Sequence, residues 1–395
     1  MKRFCCLTCV TILMSVGSPA LADDAVAAIK TKKLLVVTVT EGFRHGPAID
    51  AAEKVLPELA AKSNGEFAFE FLKEPGPRPN PGQPPKREPK LTDEQWAEKQ
   101  SSYEIGSAKA KAELPVWQAK VKELFRDKFS ETGLSQYDGV IFCNTTGELP
   151  LPDGRAFVNW ISQGKAFVGM HAATDTLKGM PPYFEMINGS FAGHPWGAGG
   201  TYNFVNHEPT HPIVSMFEPQ FQWKDEIYQY DNFNPASVHV LISLDMAKSK
   251  PQFPYHVPVT WVRNVGAGRL FYTSLGHNPE TWKSEIYQKH IVAGIRWSLK
   301  MAEGPANPNP AVSAEQALRS LAVAAGPLLN KDVAELTNKS LAKAKASPDG
   351  AMKIAAEADT YRKLPDGKGS NADQPNDSES EKMKLLKKLV LEIEK

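Results

Sequence analysis

The sequence predicts an α/β fold, a doubly wound and mainly parallel sheet followed by a helical C-terminal tail. Three observations carry this reading. Apolar, β-branched runs with little polar interruption recur at residues 34–40 (LLVVTVT), 138–143 (DGVIFC) and 167–170, as strands covered on both faces require. Stretches of helical period, residues 48–63 and 152–162, separate them. The run ending at Met170 leads into His171-Ala172-Ala173, a sharp strand-end elbow with small residues on either side.

The first 22 residues read as a signal peptide. Lys2 and Arg3 precede an apolar stretch at 4–16, and Ala20-Leu21-Ala22 fits a cleavage site, so an exported protein starting near Asp23 is expected. That stretch is too short for a membrane span and no other segment qualifies. Three of the four cysteines lie inside it, which leaves Cys143 alone and excludes an intramolecular disulfide. The formal charge of +1 falls to −1 without Lys2 and Arg3. Such a balance gives no electrostatic case for nucleic acid or an anionic membrane.

A single α/β domain is expected at about 30–300. Its first strand, 34–40, leads through the loop Gly42 to Gly46 into the helix 48–63, and 67–71 reads as a second strand. The stretch 74–90 carries Pro75, Pro77, Pro79, Pro81, Pro84 and Pro85, and with the helical passage 92–129 it reads as an insertion at about 74–128. The strand 138–143, the helix 152–162 and the strand 167–170 resume the alternation. Further strands are expected at 238–244 and, as a hairpin across Val265-Gly266-Ala267-Gly268, at 259–264 and 269–274. A helix at 280–299 closes the domain. Pro305, Pro308 and Pro310 open a linker and helical extension, 301–363. A polar spacer, disordered by composition, then leads to a terminal helix within 364–395. Met383, Leu385, Leu386, Leu389, Val390 and Ile393 form its apolar stripe, which either docks on the chain itself or recruits a protein partner.

Polar residues gather where the strands end. Glu41, Arg44 and His45 follow the first strand; Asn144, Thr145 and Thr146 follow 138–143; His171, Thr174 and Asp175 follow 167–170. His277, Asn278 and Glu280 follow the hairpin. In an open α/β sheet these loops converge on one crevice. An elbow histidine excludes acyl transfer through Ser or Cys there and leaves acid–base chemistry, metal ligation or ligand binding. His171 and His277 are the catalytic candidates, with Glu280 either orienting His277 or serving the helix dipole. His194 and Trp196 lie in a Gly-rich loop able to fold over the crevice, where Trp196 either stacks on a ligand or caps the core. Neighbouring residues alternate faces, so at most one of Asp225 and Glu226 reaches a ligand. His45, His171, His194 and His277 with Asp175 or Glu226 contain the donors a divalent metal such as zinc requires, although no HxH or HExxH spacing marks a site. Cys143 reads as a buried small hydrophobe.

Six ordered blocks, TEGFRH (40–45), YDGVIFCNTTGE (137–148), GKAFVGMHAATDT (164–176), GSFAGHPW (189–196), WKDEIYQY (223–230) and GRLFYTSLGHNPETW (268–282), resemble the ThuA-like, or trehalose-utilisation, family. The resemblance covers about residues 32–300 and leaves out the Pro-rich insertion and the tail. It implies a class I glutamine-amidotransferase-like, flavodoxin-type fold and a role in disaccharide catabolism, including routes through 3-keto sugars. Amidotransferases of this fold place Cys at the elbow and a later His with Glu two residues beyond. Here His171 takes the elbow and Glu280 lies three residues beyond His277, so thioester chemistry on glutamine has no nucleophile.

The expectation is an exported carbohydrate-related enzyme performing acid–base or metal-assisted isomerisation, elimination or hydrolysis of a (3-keto) sugar or disaccharide. Glu41, Arg44, His45, Thr145, Thr146, Asp175, His194, Glu226, Tyr228 and Asn278 are the residues expected to bind the saccharide. The alternative is a non-catalytic saccharide-binding or partner-recruiting module.

Overall fold

Leu34, Leu35, Val36 and Val37 have no exposure to solvent, so the first strand is covered on both faces, as its uninterrupted apolar run requires. The computed structural model describes Met1 and residues 30–365 and 380–395; the expected leader and the spacer from Asp366 fall outside the described residues. In chain order the elements begin with β1 (Lys32–Val37), α1 (Gly46–Ala61), β2 (Phe67–Leu72), α2 (Asp93–Lys128), α3 (Glu131–Ser135), β3 (Gly139–Cys143), α4 (Gly154–Ser162) and β4 (Ala166–Met170). A 3-10 turn, His171–Asp175, and α5 (Pro181–Ile187) follow, then β5 (Ser190–Phe191), β6 (Thr201–Asn206), β7 (Gln220–Lys224), β8 (Tyr230–Asp231) and β9 (His239–Leu244). The hairpin β10 (Pro258–Val265) and β11 (Gly268–Thr273) precedes α6 (Pro279–Lys283) and α7 (Glu285–Ser298).

Helix starts follow local chemistry. Thr92 and Gln95 form a reciprocal capping box at α2, and the Asp153 side chain accepts from Ala156 N at α4. Among the described residues one nine-stranded sheet runs β2-β1-β3-β4-β11-β10-β9-β6-β7. The strands β2, β1, β3, β4 and β11 are mutually parallel, and the remaining pairings are antiparallel. Counted along the chain, the parallel part has the flavodoxin-type order 2-1-3-4-5. Side chains alternate between two cores. Leu34 and Val36 pack with α1 and α7, while Leu35 and Val37 pack with α2 and α4.

Two expectations need correction. The antiparallel half is larger than the hairpin, because β6 and β7 extend it. The closing helix is two helices that meet at Ser284. Of the two readings of the terminal stripe, the structure shows docking on the chain itself. Its helix α11 (Glu381–Glu394) buries Leu385, Leu386, Leu389, Val390 and Ile393 against α8 (Pro310–Ala325), α9 (Val333–Ala346) and α10 (Pro348–Asp359). Apolar area already removed from water has little left to gain from a second protein.

The tail is fastened to the sheet. Asn309 Oδ1 accepts from Val240 N (2.7 Å) and its Nδ2 donates to Val240 O (3.0 Å). Arg362 bridges Asp231 (2.9 Å) and Asp359 (2.7 Å). Among the described residues no helix is long and apolar enough to cross a membrane.

Candidate functional site

The reversal of strand order lies between β1 and β3, and in folds of this kind ligands bind beyond the carboxyl ends of the strands at that point. His45 comes from the loop after β1, His171 from the end of β4 and His277 from the loop after β11. The elbow is real and strained. His171 holds φ +47°, a left-handed conformation uncommon for residues with a side chain. A Cβ on Gly169 would stand 3.3 Å from Ala173 Cβ and 3.0 Å from the Tyr272 ring, which explains the small residues flanking the elbow. Tyr272 Oη–H donates to His171 O (2.7 Å), pinning the backbone of the turn.

His171 is wholly buried, and its Nδ1–H donates to Ser274 O at 2.7 Å. A carbonyl can only accept, so this contact places the hydrogen on Nδ1 and leaves Nε2 bare in the neutral ring. That Nε2 lies 3.2 Å from His277 Nδ1 and 3.6 Å from Glu226 Oε2. His277 Nδ1 is in turn 3.1 Å from Glu226 Oε2. His45 completes the group, its ring centred 5.1 Å from both other imidazoles. Donor atoms of His45, His171, Glu226 and His277 all lie within 4.8 Å of one another.

Around this core, Tyr228 packs its ring on His171 (4.3 Å between centroids) and sets its Oη 3.3 Å from His45 Nε2. His194 Nδ1 stands 3.3 Å from Glu226 Oε1, with half of its side chain exposed. Burial, reinforced by His171 and His277, holds the His45 imidazole down to about 3, so it is neutral in neutral solution. Burial works to raise the Glu226 carboxyl, but hydrogen bonds and charge from His171 and His277 outweigh it and keep that group below the usual carboxylate range. Burial works to lower His277, and the Glu226 carboxylate outweighs it and raises that imidazole.

The acidic pair divides as face alternation requires. Asp225 has no exposure and accepts from Gly276 N (2.8 Å), Asn278 N (2.9 Å), Thr281 Oγ1 (3.0 Å) and Glu226 N (3.1 Å). It therefore buckles the loop that carries His277, while Glu226 faces the imidazoles. Glu280 is a correction. It stands in the first turn of α6 with its side chain 76% exposed, 4.0 Å from Lys283, and Glu226 occupies the carboxylate position beside His277.

Other expected residues serve the surrounding loops. Thr145 pairs with Thr176 (2.8 Å), Thr146 Oγ1 donates to Phe43 O (2.7 Å), and Asp175 pairs with Lys178 (2.9 Å). Asn278 Nδ2 ties Ala198 O and Lys224 O together. Arg44 (2.8 Å from Glu74) and Glu41 (3.7 Å from Arg78) turn toward the Pro-rich insertion. There a cavity of about 880 Å³ is lined by Gly42, Phe43, Arg44, Lys73, Glu74, Arg78 and Asn80. The exposed Phe43 ring also meets His45 edge-on at 4.9 Å. Trp196 belongs to the core, fully buried with Nε1–H on Pro251 O. Burial pushes the Cys143 thiol well above its ordinary value, which makes it inert as a nucleophile.

Reading the sequence missed the supporting roles of Asp225, Tyr272 and Ser274. Asp225 lies in the acidic block and was detectable as the inward half of an alternating pair, whereas the Ser274 contact is a backbone carbonyl, to which side-chain identity is blind.

A protein-family model described as trehalose utilisation, ThuA, matches residues 33–298. No curated protein matches the chain. Among solved structures, a ThuA-like protein from Bacteroides uniformis ATCC 8492 is 18% identical over 71% of this chain and 95% of its own, with a TM-score of 0.46. A ThuA-like protein from Parabacteroides merdae ATCC 43184 is 14% identical over 71% of this chain and 98% of its own, also at 0.46. A β-galactosidase from Bacillus circulans sp. alkalophilus is 9% identical over 67% of this chain and 31% of its own, at 0.38.

Proposed function

Because this chain belongs to the ThuA family, described by trehalose utilisation, we propose that it is an exported enzyme acting on a small saccharide or an oxidised (3-keto) sugar. The observation that carries this reading is the convergence of His45, His171, Glu226 and His277, from four separate segments, on one point at the strand ends. Export is supported by Lys2, Arg3, the apolar stretch at 4–16 and Ala20-Leu21-Ala22.

A keto group at C3 acidifies the proton on C2. His194 is the candidate base, since its imidazole is accessible and Glu226 Oε1 stands 3.3 Å from its Nδ1. The C2–H electron pair moves into a C2–C3 double bond, and the oxygen at C3 takes the negative charge facing the buried cluster. Passage of the O2 proton to O3 and return of the carbon proton at C3 completes isomerisation to the 2-keto sugar. Expulsion of the C1 oxygen substituent, which takes up a proton as it leaves, completes elimination. The exposed Phe43 ring supplies an apolar face on which a pyranose can stack.

The test is conversion of 3-keto-disaccharides and their unoxidised parents by purified protein. His194→Ala is expected to lower kcat by about 10²–10⁴-fold, the usual worth of a general base. Calorimetric binding of a saccharide without conversion would make the protein a binding module, and undiminished turnover in His194→Ala would remove the assigned base.

A further inference from the structure

We propose that His45, His171, Glu226 and His277 form a binding site for one divalent transition metal of the zinc class. His171 Nε2, His277 Nδ1 and Glu226 Oε2 make a triangle with edges of 3.1, 3.2 and 3.6 Å. Two ligands held at roughly 2.0–2.1 Å by a tetrahedral ion stand about 3.3–3.4 Å apart, so the triangle has the dimensions of a coordination face.

Hydrogen bonding alone accounts poorly for the group. His171 has already committed its Nδ1–H to Ser274 O, and Glu226 brings only acceptors. A single hydrogen, on His277 Nδ1, would have to serve both neighbours. A metal removes that shortage, because every donor atom then offers a lone pair. The Ser274 contact is the support a metal-bound imidazole usually has: the far N–H on a carbonyl fixes both tautomer and ring plane.

An independent observation comes from His45. Its Nδ1 is buried and has no hydrogen-bond partner, although the residue is only 7% exposed. A bare buried imidazole nitrogen is costly. Tyr228 Oη is the partner of the other ring nitrogen, at 3.3 Å, and so leaves Nδ1 unaccounted for.

The donor set also selects the ion. Three imidazoles and one carboxylate suit zinc, cobalt, nickel or ferrous iron, whereas calcium and magnesium demand oxygen ligands. His277 is the ligand nearest solvent, with 24% of its side chain exposed against none for His171. Beyond these four ligands, a fifth position for a substrate oxygen would open on that solvent side, as catalytic zinc can expand to five-coordination. Resting on the saccharide reading, such an ion would hold the C3 oxygen of the keto sugar and stabilise the charge that develops there.

The experiment uses the full chain, purified without metal-affinity resin, stripped with a chelator and titrated with Zn²⁺, and separately with Co²⁺ for its visible ligand-field bands. About one Zn²⁺ per chain with sub-micromolar affinity is expected. His171→Ala and Glu226→Gln should each weaken binding by more than the roughly 10–100-fold that loss of a supporting residue costs, and should shift the Co²⁺ bands. Glu280→Gln should leave both unchanged. Substoichiometric Zn²⁺ on the folded wild type, or wild-type affinity in both ligand variants, overturns the proposal. Turnover of a sugar by protein that binds no Zn²⁺ overturns the metal and leaves the saccharide reading standing. Tight Zn²⁺ binding without turnover of any keto sugar supports the metal and removes the saccharide reading.

Discussion

Replacing Asp225 by alanine tests how the crevice is held in shape. The carboxylate accepts four hydrogen bonds, from Gly276 N, Asn278 N, Thr281 Oγ1 and Glu226 N, at 2.8 to 3.1 Å. Each bond to a charged acceptor contributes about 1.5–3 kcal/mol net, which summed naively gives more than a domain can spare. Water entering the vacated space rescues part of it, and breaking a buried charged network typically costs about 3–5 kcal/mol. For a domain of this size, about 2 °C is lost per kcal/mol, so melting should fall by roughly 6–10 °C. Asp225→Asn keeps one accepting oxygen and should lose about half as much. The assay is thermal unfolding followed by circular dichroism, paired with Zn²⁺ titration of the folded variant. Because the loop carrying His277 loosens, affinity for the ion should drop about 10–100-fold. A melting point within about 2 °C of wild type would refute the buckle.

Three further outcomes follow from the fold. Gly268→Ala places a Cβ 2.1 Å from Ile161 O and 2.5 Å from Lys165 O, both backbone atoms, and should cost about 3 kcal/mol or more by urea unfolding; a midpoint equal to wild type would refute the close approach. Leu389→Ala removes a fully buried side chain from the tail bundle and should cost about 2–5 kcal/mol while exposing the tail to limited proteolysis. An unchanged digestion pattern and melting point would mean that α11 is not docked in solution. Burial holds His256 down to about 3, and His207 and His290 to about 4. These histidines are neutral when folded and titrate near 6.5 when unfolded, so their contribution is complete above about pH 6.5 and drains as pH falls toward 4 and 3. Each loses about 1.4 kcal/mol per pH unit in that window, opposed by the raised groups Glu41, Asp225 and His277. The urea midpoint should therefore be lower at pH 5.5 than at 7.5, and an equal or higher value at 5.5 would contradict the sign.

Much of the sheet was legible because β1, β3 and β4 are covered on both faces, and an apolar run with no polar side is hard to mistake. The hairpin was equally plain, since Gly266 and Gly268 punctuate it. By contrast β6 (TYNFVN) and β7 (QFQWK) are half-exposed strands that alternate aromatic and polar residues after a Gly-rich loop, and their short alternation does not stand out. Three of the four clustered side chains were legible as strand-end histidines. Glu226 was legible only as one of several candidate carboxylates, with Asp175 and Asp225, because it follows an antiparallel strand whose existence the sequence hides. Glu280 drew attention through nearness in sequence to His277, but the first turn of α6 aims it at solvent.

The four-segment origin of the crevice has a consequence for how the protein assembles. His171 and His277 are 106 residues apart, and Tyr228 lies 183 residues from His45. No early hairpin or helix pair can contain the cluster, so it comes into being only after the long loops have closed and β1, β3, β4 and β11 lie side by side. A ligand held there discriminates against every partly folded form. At a hundred times its dissociation constant it would add about 2.7 kcal/mol to the complete fold and nothing to the incomplete ones. Hydrogen exchange in strands remote from the crevice would slow in step with occupancy, making the cluster a report on whether folding has finished.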